Sequence, residues 1–250
     1  MTESRIPWED GELSPLMRVT RTLALPLKPL AGAARMVDGR LSPALTFALL
    51  TLLPLAFLRG IIPWTHHIWF APGFGLKVEE ELPWQLLALD IGRAGSFGIV
   101  MTVALWLAMA LPFVHLLRAF SRKRHAGAIA WRTLFYSAWL VPLSLEGLLH
   151  FGLFWAWPQP THPFFPWMLL VLDVLPLLLL LTFMRIVART VCGVSLVQMV
   201  ALLLVPLLSL FLMRAWCLML LQGALPVPPE NRAAPADASG VFAFQLQARE

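Results

Sequence analysis

Long apolar runs separated by short charged segments set the pattern of this chain. Residues 41–58 contain no Lys, Arg, Asp or Glu over 18 positions, and residues 94–117 contain none over 24. Residues 133–157 are apolar apart from Glu146 and His150, and residues 164–184 apart from Asp173. Residues 190–213 are again uncharged, and the apolar character resumes after Arg214. Runs of this length cross a bilayer as α-helices. The pattern predicts five spans, at about 41–60, 94–117, 133–157, 164–187 and 196–221. Residues 158–163, Pro-Gln-Pro-Thr-His-Pro, cannot continue a helix and make the third and fourth spans antiparallel neighbours. Each span carries a proline (Pro54, Pro112, Pro142, Pro176 and Pro206) that frees a carbonyl and predicts a kink.

The ends read differently. Residues 1–13 are polar and predict a disordered N-terminus, with no apolar stretch of the kind a cleaved signal peptide needs. Ser14-Pro15 reads as a helix cap followed by a proline in the first turn. Leu16, Val19 and Leu23 share a face, with Arg18 and Arg21 off it, and Pro26 stops the helix. Pro29 opens a second helix through Met36 that ends near Asp38-Gly39. Residues 14–40 thus predict short amphipathic helices lying on a membrane surface. Residues 41–221 form the membrane domain, and the Pro- and Ala-rich residues 222–250 predict a disordered tail. The fold class is all-α, a polytopic bundle of five transmembrane helices preceded by interfacial helices.

Composition agrees and narrows the partners. The 250 residues are 59% hydrophobic and only 13% charged, too few charges to cover a water-exposed surface. The net charge of +5 does not point to nucleic acid, because the basic residues sit at the ends of apolar runs. With the N-terminus in the cytoplasm, 13 Lys and Arg fall inside and 6 outside. The positive-inside rule therefore predicts a multi-pass protein of the cell's inner or plasma membrane with its C-terminus outside. Arg118, Arg122, Lys123 and Arg124 form its strongest basic anchor. Cys192 and Cys217 lie about 37 Å apart along one helix, which excludes a disulfide between them.

Candidate chemistry concentrates in one layer. Glu146 and His150 share a helix face, about 16 Å and 10 Å from the outer end of their span. Asp173 lies about 14 Å deep in the neighbouring span and Arg214 about 12 Å deep in the last. Charges at that depth pair or line a wet cavity. The layer reads either as a neutralised network that pins three helices or as a proton or ion site. His66-His67 and Glu79-Glu80-Glu81 lack the spacing of a metal site, and the glutamates have no arginine four positions on, as intramembrane prenyl-protein proteases require. No phosphate-binding loop, zinc-protease motif, nucleophile elbow or dinucleotide fingerprint is present. No cofactor, no metal and no catalysis are expected. The expected partners are the bilayer and a membrane protein or further copies of the chain.

Residues 131–142, Trp-Arg-Thr-Leu-Phe-Tyr-Ser-Ala-Trp-Leu-Val-Pro, place a tyrosine and small residues before a proline. Residues 184–200 carry a basic turn followed by a renewed apolar run. With five spans and an amphipathic N-terminal region, the layout resembles the Yip family of Ypt/Rab-interacting membrane proteins, and especially its prokaryotic relatives. The resemblance covers about residues 14–221. The Asp-Leu-Tyr-Gly-Pro motif of eukaryotic members is absent, and Tyr136 is the chain's single tyrosine, so binding of a small GTPase does not carry over. The resemblance implies a non-enzymatic membrane scaffold or adaptor. The alternative is a small transporter or channel subunit using the polar layer.

Overall fold

The computed structural model describes residues 6–37, 39–70, 84–144, 148 and 164–224. All regular structure among them is helical. Four helices are long and apolar enough to cross a membrane, over Leu41–Ile61, Ile91–Phe120, Trp167–Val191 and Leu196–Cys217. Residues 1–214 pack as one unit.

The N-terminal region starts with a 3-10 turn, Pro7–Glu9, followed by α1 (Pro15–Leu23) and α2 (Pro29–Ala34). Ser14 caps α1, its Oγ accepting from the Met17 N–H at 3.4 Å, and Pro15 fills a first-turn position that needs no donor. Arg18 closes the preceding loop by donating to the carbonyls of Gly11 (2.7 Å) and Leu13 (2.8 Å). Residues 6–13 are thus structured where the composition predicts disorder. Residues 1–5 lie outside the described residues, but Ile6 is fully buried and Glu9 is held by partners far along the chain. A polar composition alone did not reveal that anchoring.

The two short helices fall where capping predicted them, yet they pack against the bundle. Thr22, Leu25, Ala33 and Met36 are buried, whereas Leu16, Met17, Leu27 and Leu30 are exposed. The exposed apolar side chains therefore only partly follow the Leu16–Val19–Leu23 stripe, since Val19 and Leu23 are half-buried. At Gly32 an added Cβ would meet the Leu25 carbonyl at 2.8 Å and the Phe183 ring at 3.0 Å, so α2 lies hard against the bundle.

The next helices, α3 (Leu41–Phe70) and α4 (Trp84–Phe120), overrun the predicted spans at 41–60 and 94–117. Thirty residues of α3 extend about 45 Å, well beyond the hydrocarbon thickness. An apolar run measures where lipid is tolerated, not where backbone hydrogen bonds stop. Arg59, which ends the first uncharged run, consequently lies well inside α3 and is 5% exposed.

Small residues let α3 and α4 meet backbone to backbone. A Cβ on Gly60 would run into the Ala94 carbonyl, one on Gly98 into the Ala56 carbonyl, and one on Gly95 into the Phe57 ring. Ala56 and Gly60 on α3, and Ala94 and Gly98 on α4, are each four apart. This is the small-xxx-small pattern that replaces hydrophobic driving force with close packing in lipid.

The fifth helix, α5 (Ala126–Ser137), is short, and most of it is buried. It packs against α3 and α4 and gives way to a 3-10 turn at Ala138–Leu140, with no helix over residues 141–144. Proline explains the change. Pro142 has no N–H for the Ala138 carbonyl, and the Val141 N–H takes that acceptor at 3.1 Å in the tighter geometry. The predicted span at 133–157 is thus not one continuous α-helix in its described part, and it begins earlier. Residues 149–163, with the predicted turn at 158–163, lie outside the described residues. Pro112, Pro176 and Pro206 by contrast sit within helices that continue past them.

The sixth helix, α6 (Phe165–Ile186), runs into a π-turn, Val187–Val191, closed by the Cys192 N–H on the Val187 carbonyl at 3.2 Å. Gly193 takes φ +67°, which reverses the chain into α7 (Leu196–Ala224). A capping box starts α7: the Ser195 N–H donates to Gln198 Oε1 (3.2 Å), and the Gln198 N–H to Ser195 Oγ (3.4 Å). Met199, Leu202 and Leu210 form its buried stripe, while Leu204, Val205, Leu208 and Leu212 face outward. The helix reaches Ala224, three residues into the predicted tail, and residues 225–250 lie outside the described residues.

Gly98→Leu is expected to lower the unfolding temperature in detergent micelles, because overpacking a closed interface costs about 1–3 kcal/mol. Gly92→Ala is the control, since a Cβ there meets nothing within 4 Å. Equal unfolding temperatures for the two variants, by tryptophan fluorescence or differential scanning, would contradict the α3–α4 contact.

Candidate functional site

The chain gathers its ordered polar structure at one end of the bundle. There α4 leads into α5, the α6 π-turn leads into α7, and the N-terminal segment docks. Ser121 Oγ donates to the Cys192 carbonyl at 3.0 Å and ties the first two connections together.

Arg132 is the centre of this end. It projects from α5 with a side chain 1% exposed. One guanidinium nitrogen donates to the Met36 carbonyl at 3.0 Å, and another meets Glu9 Oε1 at 3.1 Å. The Tyr136 hydroxyl donates to the same Glu9 oxygen at 2.7 Å. Arg132 and Tyr136 are one helical turn apart, so both point at Glu9. The neighbouring rings seat the segment: Trp8 meets Phe47 edge-on at 5.4 Å, and Phe47 meets Tyr136 at 5.5 Å. Gly39 takes φ +133°, and a Cβ there would collide with the Arg132 guanidinium. The backbone ahead of α3 therefore passes over the arginine only as glycine.

A buried guanidinium is costly unless paired and hydrogen-bonded. Glu9 and the Met36 carbonyl supply that pairing, and both belong to the N-terminal segment. Folding of residues 6–39 and burial of Arg132 are thus one event. The spacing of Arg132 and Tyr136 was a readable hint of a shared partner. Glu9 carried no such signal, being 123 residues from Arg132.

The predicted basic anchor is at this same end. Arg118, Arg122, Lys123 and Arg124 are all exposed. A Cβ on Gly127 would touch the Arg118 stem at 2.9 Å, so that side chain lies along the first turn of α5. Cys192 is 3% exposed, and burial pushes its thiol up, against the opposing pull of the Ser121 hydrogen bond and the Lys123 charge. A covered, protonated thiol fits a packing residue better than an acylated one.

The predicted intramembrane layer is only partly in view. Glu146 and His150 lie outside the described residues. Asp173 on α6 and Arg214 on α7 are half-buried. Arg59 is the addition that the apolar runs concealed, and it donates to the Val141 carbonyl at 3.4 Å, at the break made by Pro142. The same carbonyl also accepts from the Ser144 N–H (3.1 Å) and the Ser144 Oγ (2.9 Å), so Arg59 is a further donor on an acceptor the turn already engages. Among the described residues no group of three His, Cys, Asp or Glu is placed to hold a metal ion.

Glu9→Ala removes a charge-assisted bond worth about 1.5–3 kcal/mol. Trypsin is then expected to cut at Arg18 and Arg21 about tenfold faster, or more, as the N-terminal segment opens. Glu9→Gln, which keeps an acceptor for Tyr136, falls between wild type and Glu9→Ala. Unchanged cleavage in Glu9→Ala would show that the segment is held by its apolar contacts alone. Compared with known proteins, the chain matches no family model, no curated protein and no solved structure, so its function is argued from these residues and their geometry.

Proposed function

We propose that this protein is a non-enzymatic membrane scaffold or adaptor, Yip-like in layout, that presents a structured surface at the basic end of a five-crossing bundle. The observation that carries this reading is the Glu9–Arg132–Tyr136 cluster. It locks the N-terminal segment onto the bundle while Leu16, Met17, Leu27 and Leu30 stay exposed at the end that also bears Arg118, Arg122, Lys123 and Arg124. Exposed apolar side chains beside basic ones suit a bilayer surface and the membrane-level flank of a partner protein. The positive-inside rule puts that end in the cytoplasm. The similarity of residues 131–142 and 184–200 to the Yip family points the same way.

The connections support five crossings. The ends of α4 and α6 are held together by the Ser121–Cys192 hydrogen bond, and α5 starts beside them. The start of α6 lies the length of its 22 residues away, about 33 Å. That separation supports the reading of a fifth crossing that begins with α5.

A second reading, a small transporter or channel subunit, is favoured by Arg59 on the carbonyl of a helix interrupted at Pro142. Discontinuous helices beside buried charges form the substrate sites of many transporters. Asp173 and Arg214 are the further candidates for that role.

Crosslinking in native membranes followed by mass spectrometry separates the two. For the scaffold, a reproducible membrane-protein partner is expected with the wild type. It is expected to be lost when Leu16, Met17, Leu27 and Leu30 are all changed to Ser, or when Arg122, Lys123 and Arg124 are changed to Gln, at an unchanged unfolding temperature. A partner set indifferent to both variants overturns it. Proton or ion flux in proteoliposomes that disappears in Asp173→Asn supports the second reading instead.

A further inference from the structure

A cleft of about 630 Å³ opens between the α4–α5 connection and the α6–α7 turn. Arg122 and Lys123 form one wall, and Thr190, Ser195 and Gln198 contribute to the other. Its lining contains no acidic residue, and Phe120 supplies an apolar side. The size is that of a small-molecule site, with room for a headgroup and the start of its glycerol backbone.

The cleft is built rather than incidental. Ser121 Oγ clamps the two connections by donating to the Cys192 carbonyl, and it also accepts from the Lys123 N–H at 3.1 Å, which fixes the basic wall. Opposite, Ser195 and Gln198 hold each other through the capping box, and Ser195 Oγ donates to Gln198 Oε1 at 3.0 Å. With its carbonyl oxygen accepting from Ser195, Gln198 turns its amide as the remaining donor group. The neighbouring helices supply the height. The apolar window of α4 ends at Phe120, that of α6 at Val191, and that of α7 begins at Leu196. The cleft thus sits where hydrocarbon gives way to headgroups.

We infer that this cleft is a binding site for a phosphate oxyanion, and that its natural ligand is the phosphate of an anionic phospholipid seated between Arg122 and Lys123 on one side and Ser195 and Gln198 on the other. Two cations satisfy the charge, and neutral donors fix the orientation without adding repulsion. A diffuse basic surface would attract the same lipids, but would weight each of its cations alike. The site therefore separates residues that the sequence places in one run: Arg122 and Lys123 line the cleft, whereas Arg118 and Arg124 do not. This inference needs only the membrane setting and is independent of the scaffold reading.

The test uses the full chain in nanodiscs of phosphatidylcholine containing a small fraction of phosphatidylglycerol, with native mass spectrometry reading the anionic lipids retained. Arg122→Gln and Lys123→Gln are each expected to weaken retention about fivefold, the loss of one cation near the surface. Gln198→Leu, which changes no charge, is expected to weaken it measurably, and Arg124→Gln by less than about twofold, the charge being outside the site. Equal losses for Arg122→Gln and Arg124→Gln, or none for any variant, overturn the inference. A second arm titrates inorganic phosphate into the detergent-solubilised protein. Lipid retention without phosphate binding identifies the lipid as the source. Phosphate binding that depends on Arg122 and Lys123 and displaces the lipid supports the oxyanion site with a soluble ligand. Unfolding temperatures of all variants, expected to stay within a few degrees, exclude misfolding as the cause.

Discussion

Arg132 sets the terms for one end of this molecule. A guanidinium with 1% exposure is stabilised there by a carboxylate and a backbone carbonyl, and both come from the first 36 residues of the chain. Leaving the N-terminal segment free would therefore strip that buried charge of its carboxylate. The 3-10 turn at Pro7–Glu9, the capped α1, the docked α2 and the glycine at position 39 all serve that one arrangement. What emerges is a bundle whose polar end is capped by its own N-terminus.

The apolar part follows a different rule. Lipid removes most of the hydrophobic incentive for helices to meet, so α3 and α4 associate where Ala56, Gly60, Ala94 and Gly98 let backbones touch. Next to that tight pair, α5 is enclosed and short. At its interruption by Pro142 the Val141 carbonyl gathers donors from Ser144 and from Arg59. Apolar packing and polar satisfaction thus meet at one place, the junction of α3 with the end of α5.

These two regions frame the functional choices. The basic end offers an ordered surface, exposed cations and a cleft, the features on which the proposed scaffold and lipid-binding roles rest. The interior offers Arg59 at a broken helix and half-buried Asp173 and Arg214 on α6 and α7, the residues on which the transport reading rests. The first is the more completely built. Its groups are held by named hydrogen bonds from three separate stretches of chain, and they lie where ligands arrive.

Membrane residence was legible in the residues alone. Runs of 18 and 24 uncharged positions have no place in water, and that constraint is local, so sequence determined it without reference to contacts. The cap of α1 was equally local, since Ser14-Pro15 satisfies a helix start from within, and the box of Ser195 and Gln198 that the structure shows on α7 works the same way. Residues 6–13 depart from the expected disorder for the opposite reason. Glu9 looks solvated until Arg132 and Tyr136 are brought to it from more than 120 positions away. Arg59 looked like the end of a span because an apolar run stops there, whereas the helix ladder does not. Sequence by itself determined that the chain is apolar enough to cross a membrane and where the proline-led helices α1 and α2 start, because hydrophobicity and capping act over one or two turns. Tertiary structure alone decided which charges are buried and which are offered to the membrane surface, because a charge takes its environment from whichever distant segment packs over it.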